Sequence, residues 1–256
     1  MITKSAMSFR KNKDWKMILY AKAGQGKTTS IKYLKGKTLV LDLDNSFKVL
    51  EGVSDNIQQY RFDNGTPEGR EFDRTKPIED LNTFLSDEDI QGMGKDWDNL
   101  VIDNVSSLEK DWFVEKGRSS HNKISNEIQD YSQWMNYFAR VITSIYMIPN
   151  VNILITAWEK KIENELESGQ TFSQYAPDIR DKSLNGFLGL ADVVARLVVN
   201  PKTNGRGAIL EGDNTVYAKN RLDERTAAPI EELFDFNNKK TEKPKPKAKQ
   251  EKEGTK

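Results

Sequence analysis

The sequence predicts an α/β fold whose mostly parallel central sheet has helices on both faces. Three runs are almost continuously apolar, as expected of parallel strands that are covered on both sides: Met17–Tyr20, Leu39–Leu43 and Leu100–Ile102. The first run is followed by a glycine-containing loop and then by a segment that suits a helix, Ser30–Leu34. Strands that alternate with helices in this way are typical of an α/β domain.

Length and composition agree with a domain of this class. The chain has 256 residues, of which 30% are charged and 36% hydrophobic, so we expect a soluble protein with one sizeable core. No apolar run approaches the length of a membrane span. The first residues, Met1 to Lys13, contain no apolar signal core, and a cytoplasmic location is therefore expected.

Composition also limits the chemistry. The absence of cysteine excludes disulfides, thiolate metal sites and a cysteine nucleophile, and the single histidine, His121, excludes a site with several histidine ligands. The formal net charge is zero, but the segment from Asn237 to Lys256 carries a surplus of five positive charges, so the remainder is negative by the same amount. Polyanion binding would therefore have to come from local loops or from this tail.

The loop that follows the first strand, residues 21–29 (AKAGQGKTT), has the layout of a nucleotide phosphate loop. Small residues let successive backbone N–H groups converge on phosphate oxygens, and the start of the following helix adds partial positive charge. Lys27 would reach the β- and γ-phosphates, and the Thr28 hydroxyl would ligate Mg²⁺. The residues expected to contact the nucleotide are Ala23, Gly24, Gln25, Gly26, Lys27, Thr28 and Thr29.

One position departs from the pattern G-x-x-x-x-G-K-[ST], because Ala21 stands where the first glycine is expected. An alanine with a positive φ angle costs on the order of 1 kcal/mol, whereas an alanine with ordinary strand angles is not strained. The alternative interpretation of the motif is a chance glycine-containing turn before a helix. The preceding strand and the helical segment after the loop favour the phosphate loop.

Acidic residues end two of the predicted strands. Lys37–Asp44 ends in Asp42 and Asp44, and Trp97–Asp103 ends in Asp103. Ligands of open α/β sheets bind beyond the carboxyl ends of the strands, so these carboxylates are expected near the phosphate loop. Asp103 has the setting of a Walker B aspartate, which holds Mg²⁺ through its water shell. Asp42 and Asp44 are either site residues or turn residues at a strand end.

Between these two strands the sequence predicts elements with weaker patterns. They are a strand at Gln58–Phe62, a loop at Asn64–Lys76, a helix at Pro77–Leu85 and a connection at Gly92–Asp98.

The middle of the chain predicts a loop, a long helix, a strand and a second loop. Glu115–Lys123 is polar and contains glycine, and Lys161–Ser183 is long, polar and irregular, as functional or disordered loops are. Val151–Ala157 predicts a buried strand that ends near Thr156. Ser125–Ile145 predicts the best helix, with apolar residues at helical spacing: Ile128, Tyr131, Met135, Phe138, Ile142 and Ile145. Its aromatic residues form either core or partner packing or a base-stacking platform, and the helical spacing favours packing: Tyr131, Trp134, Tyr137 and Phe138.

The last third predicts antiparallel strands and a tail. A strand at Val193–Val199 turns at Pro201–Gly205 into a hairpin partner at Ala208–Glu211. Another strand, Thr215–Lys219, leads into Lys219-Asn220-Arg221, and a short helix follows at Ile230–Phe234. The predicted organisation is a leader (residues 1–14), a globular domain (residues 15–236) and a disordered basic tail (residues 237–256), which acts as a solubilising linker or as an arm for polyanions.

The order of these parts resembles the core of the RecA-type recombinases, and more closely the phage-encoded RecA-like ATPases of the Sak-type single-strand annealing group. The resemblance rests on the phosphate loop, the acid-tipped strand after it, the Asp-Asn-Val-Ser-Ser-Leu run that begins at Asp103, the long polar segment and the strand that ends in Lys-Asn-Arg. It extends from Trp15 to Phe236. It implies a RecA-like P-loop NTPase core that uses ATP and Mg²⁺ in the cytoplasm of a bacterial host.

The resemblance also implies roles for individual residues. Asp44 matches the acid that activates the attacking water, and Lys219 and Arg221 match a cationic pair that acts on the ATP of the neighbouring subunit. Together with Lys27 and Asp103 they form the expected catalytic set. Two DNA-binding loops would lie at Val114–Ser125 and Trp158–Lys182. Their cationic side chains are Lys116, Arg118, Lys123, Lys160, Lys161, Arg180 and Lys182.

The partners implied by the resemblance are single-stranded DNA, further copies of the chain in a filament or ring with ATP at the subunit interfaces, and a phage or host single-strand-binding protein. Two departures favour annealing or a mediator role over strand exchange: Thr156-Ala-Trp-Glu replaces the amide or histidine usual at that strand end, and the extra terminal domains of the bacterial recombinase are missing. The alternatives are a P-loop NTPase or kinase unrelated to DNA and a binding protein with a degenerate ATP site.

Overall fold

The computed structural model describes residues 13–165 and 169–236, which form a central sheet with helices packed on it. In chain order the elements are β1 (Lys16–Ala21), α1 (Lys27–Ser30), β2 (Thr38–Asp42), β3 (Ile57–Gln59), α2 (Pro77–Ser86), α3 (Glu88–Gly92), β4 (Asn99–Asp103), α4 (Val105–Ser119), α5 (Ile128–Tyr146), β5 (Asn152–Glu165), β6 (Thr171–Pro177), α6 (Asp181–Leu190), β7 (Val193–Val199), β8 (Arg206–Ile209), β9 (Lys219–Asn220) and β10 (Ala227–Pro229).

The strand order is β10-β8-β7-β1-β5-β4-β2-β3, with β6 paired to β5 and β9 paired to β7. The neighbouring strands β7–β1, β1–β5, β5–β4, β4–β2 and β2–β3 pair in parallel. The pairs β7–β8, β8–β10, β5–β6 and β7–β9 are antiparallel. The prediction of an α/β fold with a mostly parallel sheet and a C-terminal antiparallel hairpin is therefore confirmed.

Alternate residues of β1 enter two separate cores, one on each face of the sheet. Ile18 and Tyr20 pack on the face that α2, α4, α5 and α6 cover. Met17 and Leu19 pack on the opposite face, where the turn after α1 and the C-terminal segment around Leu233 cover them. Because a central strand buries both of its faces, the run Met17–Tyr20 is apolar without interruption.

Helix α5 begins later than predicted and buries a different face at its start. Ile128 and Tyr131 were assigned to the buried stripe, but their exposed fractions are 91% and 39%. The first turn, capped by Glu127 and Asp130, lines a surface cleft. Further along, Trp134 is buried against Trp112 and Phe138. The preference for packing over a stacking platform thus holds for the buried rings, but the assignment of Ile128 and Tyr131 to the core was wrong.

The first predicted polar loop, Glu115–Lys123, was wrong in its first half, because α4 continues to Ser119. Gly117 lies inside this helix instead of ending it. A Cβ at Gly117 would come within 2.9 Å of the carbonyl oxygen of Ile124. The glycine is therefore required by the close approach of the following turn and is not a helix terminator.

The second predicted loop, Lys161–Ser183, was also wrong. β5 runs to Glu165 and pairs with β6 along Thr171–Pro177, and α6 begins at Asp181. Most residues of the outer part of this hairpin are exposed or half-buried on both faces, so the sequence lacks the apolar alternation that indicates a strand.

Several smaller predictions also differ from the structure. The helix after the phosphate loop has only one α-helical turn, followed by a 3₁₀ turn at Ile31–Tyr33. The connection at Gly92–Asp98 follows an unpredicted helix, α3, and includes a 3₁₀ turn at Met93–Lys95. The strand at Thr215–Lys219 is reduced to the two residues of β9, and β10 was not predicted. The leader up to residue 12 and the tail lie outside the described residues. Across the described part of the chain, no helix is both long enough and apolar enough to cross a membrane.

Candidate functional site

The carboxyl ends of four parallel strands meet beside the loop that follows β1. The register places Asp42 of β2 opposite Asp103 of β4, and Thr156 of β5 opposite Leu19 of β1. The polar side chains of Asp42, Asp103 and Thr156 therefore lie at one edge of the sheet. The loop itself uses glycine where its backbone requires it, with φ angles of 75° at Gly24 and 96° at Gly26. Ala21 is the buried last residue of β1 and does not have a positive φ angle, so alanine is not strained there.

Lys27 is buried beneath this loop. Its Nζ donates hydrogen bonds to the carbonyl oxygens of Ala21 at 3.2 Å and Lys22 at 3.3 Å. Burial lowers the pKa of Lys27, and the negative charges of Asp103, Asp44 and Glu159 oppose this shift. The ammonium group is therefore held at the inner side of the loop by weak carbonyl contacts that a phosphate oxygen can replace.

Thr28 and Asp103 form a compact group of hard oxygen atoms. The Thr28 hydroxyl donates to Asp103 Oδ2 at 2.6 Å, and the Ser46 hydroxyl lies 3.2 Å from Thr28 Oγ1. The Thr156 hydroxyl donates to the other oxygen of Asp103. Burial raises the pKa of Asp103, while the hydrogen bonds from Thr156 and Thr28 lower it.

This donor set fits Mg²⁺ bound together with phosphates. Among residues 13–165 and 169–236, no group of three or more acidic or histidine side chains could hold a metal ion by itself. Mg²⁺ usually binds through one or two protein oxygens, several waters and phosphate oxygens. One hydroxyl and one carboxylate at the end of the loop are therefore the appropriate ligands: Thr28 and Asp103.

Asp44 and Asp42 have different surroundings. Asp42 accepts hydrogen bonds from the N–H groups of Ser46 and Phe47, at 3.0 and 2.9 Å, and therefore stabilises the turn after β2. Asp44 Oδ2 accepts from the Asn104 amide, but Asp44 Oδ1 is buried and has no hydrogen-bond partner among the residues that the structure describes. Burial, followed by the charge of Asp103, raises the pKa of Asp44. Of the two acids, Asp44 has an oxygen available to a reactant.

The sequence interpretation missed Glu159. Its side chain is 3% exposed, and its Oε2 accepts a hydrogen bond from Arg196 Nε at 2.6 Å. Its Oε1 is buried with no hydrogen-bond partner in residues 13–165 and 169–236, and the negative charge of Glu159 acts on Lys27. The available signal was an acid two residues beyond the predicted strand Val151–Ala157. Its ion pair with Arg196 could not be expected until β5 and β7 were known to flank β1.

Lys219 and Arg221 are not hydrogen-bonded to the loop in the described part of the chain. Lys219 Nζ donates to the carbonyl oxygens of Leu188 at 2.6 Å and Gly189 at 3.4 Å, in the last turn of α6. Burial, followed by the charge of Arg221, lowers the pKa of Lys219. The Arg221 side chain is exposed, and its guanidinium donates no hydrogen bond within residues 13–165 and 169–236.

A second site is a cleft of about 1080 Å³ between the start of α5 and the start of α6. The structure brings three of the predicted DNA-binding cations to this cleft: Lys160, Arg180 and Lys182. The guanidinium of Arg180 lies 4.4 Å from the ring centre of Tyr131. Lys160 Nζ donates to Ile179 O and Asp181 Oδ1, both at 2.6 Å.

The other predicted cations do not line this cleft. Lys116 lies over Trp112, and Lys161 lies over Tyr175 on the hairpin. Arg118 is in the last turn of α4 and Lys123 is in the turn that follows. The cations of the cleft therefore all come from the second predicted DNA-binding loop, and no residue of the first, Val114–Ser125, lines it.

Helix α4 connects the cleft with the phosphate loop. It begins at Asn104, next to Asp103, and the Ser106 hydroxyl accepts the N–H of Trp158 at 2.8 Å. One turn later, Glu109 accepts the N–H of Arg180 through both oxygens, at 3.1 and 3.2 Å. Burial raises the pKa of Glu109 to about 7.

Comparison with known proteins gives one family match. The model of a family described as an AAA domain matches residues 13–222, which include the phosphate loop, Asp103, the hairpin and the cleft. A search of curated proteins found no match. One similar solved structure is the crystal structure of the RadB recombinase, with 13% identity and a TM-score of 0.44, covering 77% of this chain and 80% of that chain.

Proposed function

Because the chain belongs to the AAA domain family, whose model spans residues 13–222, we propose that it binds and hydrolyses ATP and acts on single-stranded DNA. The observation that carries the ATP part is the 2.6 Å hydrogen bond between Thr28 and Asp103, directly beside the buried Lys27. The Thr28 hydroxyl and the Lys27 ammonium group lie at the end of the glycine-containing loop, and the Asp103 carboxylate lies beside them at the end of β4. These are the groups that bind a magnesium–triphosphate.

In this proposal the chain's own groups position the triphosphate. Lys27 leaves the carbonyl oxygens of Ala21 and Lys22 and donates to oxygens of the β- and γ-phosphates. The N–H groups of the loop from Ala23 to Thr29 surround the phosphates. Thr28 and Asp103 would hold Mg²⁺, which when bound neutralises charge on the phosphate oxygens.

Asp44 is the proposed general base. Its partnerless Oδ1 accepts a proton from a water molecule while the oxygen of that water bonds to the γ-phosphorus. The bond from the γ-phosphorus to the bridging oxygen breaks, and ADP and phosphate form. Asn104 fixes the carboxylate through Oδ2, and the raised pKa makes it a better proton acceptor than an exposed aspartate.

The cleft supports the DNA part of the proposal. Arg180 and Tyr131 present a cation and an exposed aromatic ring 4.4 Å apart, and Lys182 adds a second cation, whereas Lys160 is paired with Asp181. Non-specific binding of single strands combines such cations, which contact phosphates, with aromatic rings, on which bases stack. Three acids also line the cleft, Glu109, Asp178 and Asp181, so its formal charges are mixed.

The proposed setting is phage homologous recombination, in single-strand annealing or as a recombination mediator. Copies of the chain form a filament or ring, and Arg221 reaches the γ-phosphate of the ATP bound to the neighbouring copy. Its exposed guanidinium, with no hydrogen bond in the described part of the chain, supports this role. Lys219 is already bound to the end of α6 and instead positions the segment from which Arg221 projects. A phage or host single-strand-binding protein is the further partner in this proposal.

The test is ATP hydrolysis with and without single-stranded DNA, at low and moderate salt. We expect Lys27→Ala to abolish turnover. We expect Arg180→Ala to retain basal turnover but lose most of the DNA stimulation, and the stimulation of the unmodified protein to fall as salt rises. Arg140→Ala is the matched control, because Arg140 also lies over a tyrosine ring but outside the cleft.

Each alternative function has its own outcome. Clear basal turnover without DNA stimulation would support an NTPase or kinase unrelated to DNA. Tight ATP binding without turnover would support a binding protein with a degenerate site. Turnover that persists in Lys27→Ala would overturn the assignment of the phosphate loop.

A further inference from the structure

A small cavity lies beside the phosphate loop and has no role in the proposal so far. Its volume is about 130 Å³. Thr29 and Tyr33 form one wall, the turn from Asn204 to Arg206 forms another, and Glu231 lies at the third. The volume is well below the roughly 300–1,000 Å³ of pockets that enclose whole ligands, so the cavity can hold only part of a nucleotide.

Arg206 lies directly against the phosphate loop. Its Nε donates to the carbonyl oxygen of Gln25 at 3.1 Å. A Cβ at Gly26 would come within 2.9 Å of the same nitrogen, and the φ angle of 96° at this position favours glycine. In the described residues, neither Nη group of Arg206 donates a hydrogen bond, and both remain available to a ligand.

The order of residues along the phosphate loop indicates which end of the nucleotide lies near Arg206. Lys27 and Thr28 are close to Asp103, where the γ-phosphate end belongs. The next residue, Thr29, lines the cavity beside Arg206. A triphosphate that follows the loop therefore places its α-phosphate and its nucleoside at the cavity.

We propose that Arg206 binds the ribose of the nucleotide, and that the cavity between Tyr33 and the Asn204–Arg206 turn holds the base. This inference rests on the proposed nucleotide-binding function and adds the residues that distinguish a nucleotide from inorganic polyphosphate. The two Nη groups of the guanidinium donate to ribose oxygens, which inorganic polyphosphate lacks. Tyr33 offers a ring face, and the Glu231 carboxylate accepts a hydrogen bond from an amino group of a purine base.

The test compares three ligands in the full chain with Mg²⁺: ATP, ADP and inorganic tripolyphosphate. We expect Arg206→Ala to weaken ATP and ADP binding about tenfold, the value of one hydrogen bond to a charged group, and to change tripolyphosphate binding less than about twofold. Arg206→Lys, which keeps the charge but loses the two-donor geometry, should lie between. Lys202→Ala is the matched control in the same turn, because Lys202 does not line the cavity.

The outcomes separate this inference from the proposed function. Equal weakening of all three ligands by Arg206→Ala would mean that Arg206 only supports the loop through Gln25, and would overturn the inference. Unchanged ATP binding would overturn it as well. If the unmodified chain binds neither ATP nor tripolyphosphate, the proposed function itself fails. Circular dichroism of each variant excludes unfolding as the cause of a loss.

Discussion

At the scale of single residues, Asp44 is distinguished from Asp42 by one free oxygen. Both are acids near the end of β2, but Asp42 accepts hydrogen bonds from the turn after this strand, whereas Asp44 Oδ1 has no partner in the described part of the chain. We expect Asp44→Asn to lower the rate of ATP hydrolysis about 100-fold or more, which is the usual contribution of a general base, and to leave ATP affinity nearly unchanged. Single-turnover hydrolysis and equilibrium ATP binding measure the two effects.

The control is Asp42→Asn, which should lower the free energy of unfolding because it weakens the acceptor of two backbone N–H groups. Loss of ATP binding in Asp44→Asn would mean that Asp44 has a structural role and would contradict its assignment as a base.

Glu109 should make stability depend on pH. Its pKa rises from 4.5 to about 7 because of burial, with Arg180, Asp178 and Lys160 as the nearby charges. Between these two values the native protein holds a proton that the unfolded chain has released. The free energy of unfolding must therefore fall as pH rises through this window, by roughly 3 kcal/mol at most.

In Glu109→Gln we expect this part of the pH dependence to disappear. Urea unfolding of both proteins at about pH 5 and about pH 8 measures it. Glu51→Gln, an exposed surface change, should behave as the unmodified protein does. An unchanged pH slope in Glu109→Gln would show that Glu109 is not the titrating group.

At this scale the sequence could predict the residues that belong to one short motif, but not those that the fold brings together. Lys27 and Thr28 are neighbours in a recognisable pattern, and Asp103 ends an apolar strand. Arg206 is 181 residues from Gln25, and no local pattern connects them. Which strands flank β1 decides such contacts, and the sequence does not contain that information in readable form.

At the scale of elements, one hydroxyl group connects β1 with the hairpin. Tyr20 donates to the carbonyl oxygens of Tyr175 at 2.9 Å and Tyr217 at 2.7 Å. We expect Tyr20→Phe to lower the free energy of unfolding by about 1–3 kcal/mol, because carbonyl groups near the core lose their donor. Urea titration measures the change.

Tyr33→Phe is the matched control, because the Tyr33 hydroxyl makes only one exposed contact, to Glu231 at 3.4 Å. It should change stability by less than about 0.5 kcal/mol. Equal effects of the two substitutions would contradict the structural role of the Tyr20 hydroxyl.

The strands that the sequence predicts correctly are those that are buried, because burial requires apolar residues. β2 and β4 are buried along their whole length, and their continuous apolar runs indicated strands. The outer part of the β5–β6 hairpin is held by backbone hydrogen bonds and has little buried surface, so its composition resembles a loop. Gly117 misled the prediction of α4 because close packing and helix termination select the same residue.

At the scale of the whole molecule, the proposed oligomer makes Arg221 and Lys27 act in different subunits on one ATP. We expect Arg221→Ala and Lys27→Ala each to be inactive alone. A mixture should recover activity, because a subunit with an intact loop can then meet a neighbour with an intact Arg221. If an equal mixture assembles at random, about a quarter of the interfaces combine an intact phosphate loop with an intact Arg221. Hydrolysis rates across mixing ratios measure this recovery.

Lys219→Ala serves as the comparison. Lys219 binds the end of α6, so its loss should lower stability and should not be rescued specifically by Lys27→Ala subunits. No recovery at any ratio of the first pair would argue against a shared site.

The fold class was predictable because parallel strands buried on both faces need unbroken apolar runs. The strand order was not. β5 lies between β4 and β1, and β7 lies on the other side of β1, although all four strands have similar apolar patterns. Nothing in those patterns states which strands are neighbours.

The position of β1 in the middle of the sheet also has a consequence for how the protein is made. Both neighbours of β1 are synthesised long after it, beginning near Asn152 and Val193. At about 5–20 residues per second, the apolar run of β1 leaves the ribosome roughly 10–40 s before its second partner strand. The nascent chain is therefore open to chaperones or to aggregation throughout this interval, and the nucleotide site forms only when nearly the whole domain has been translated.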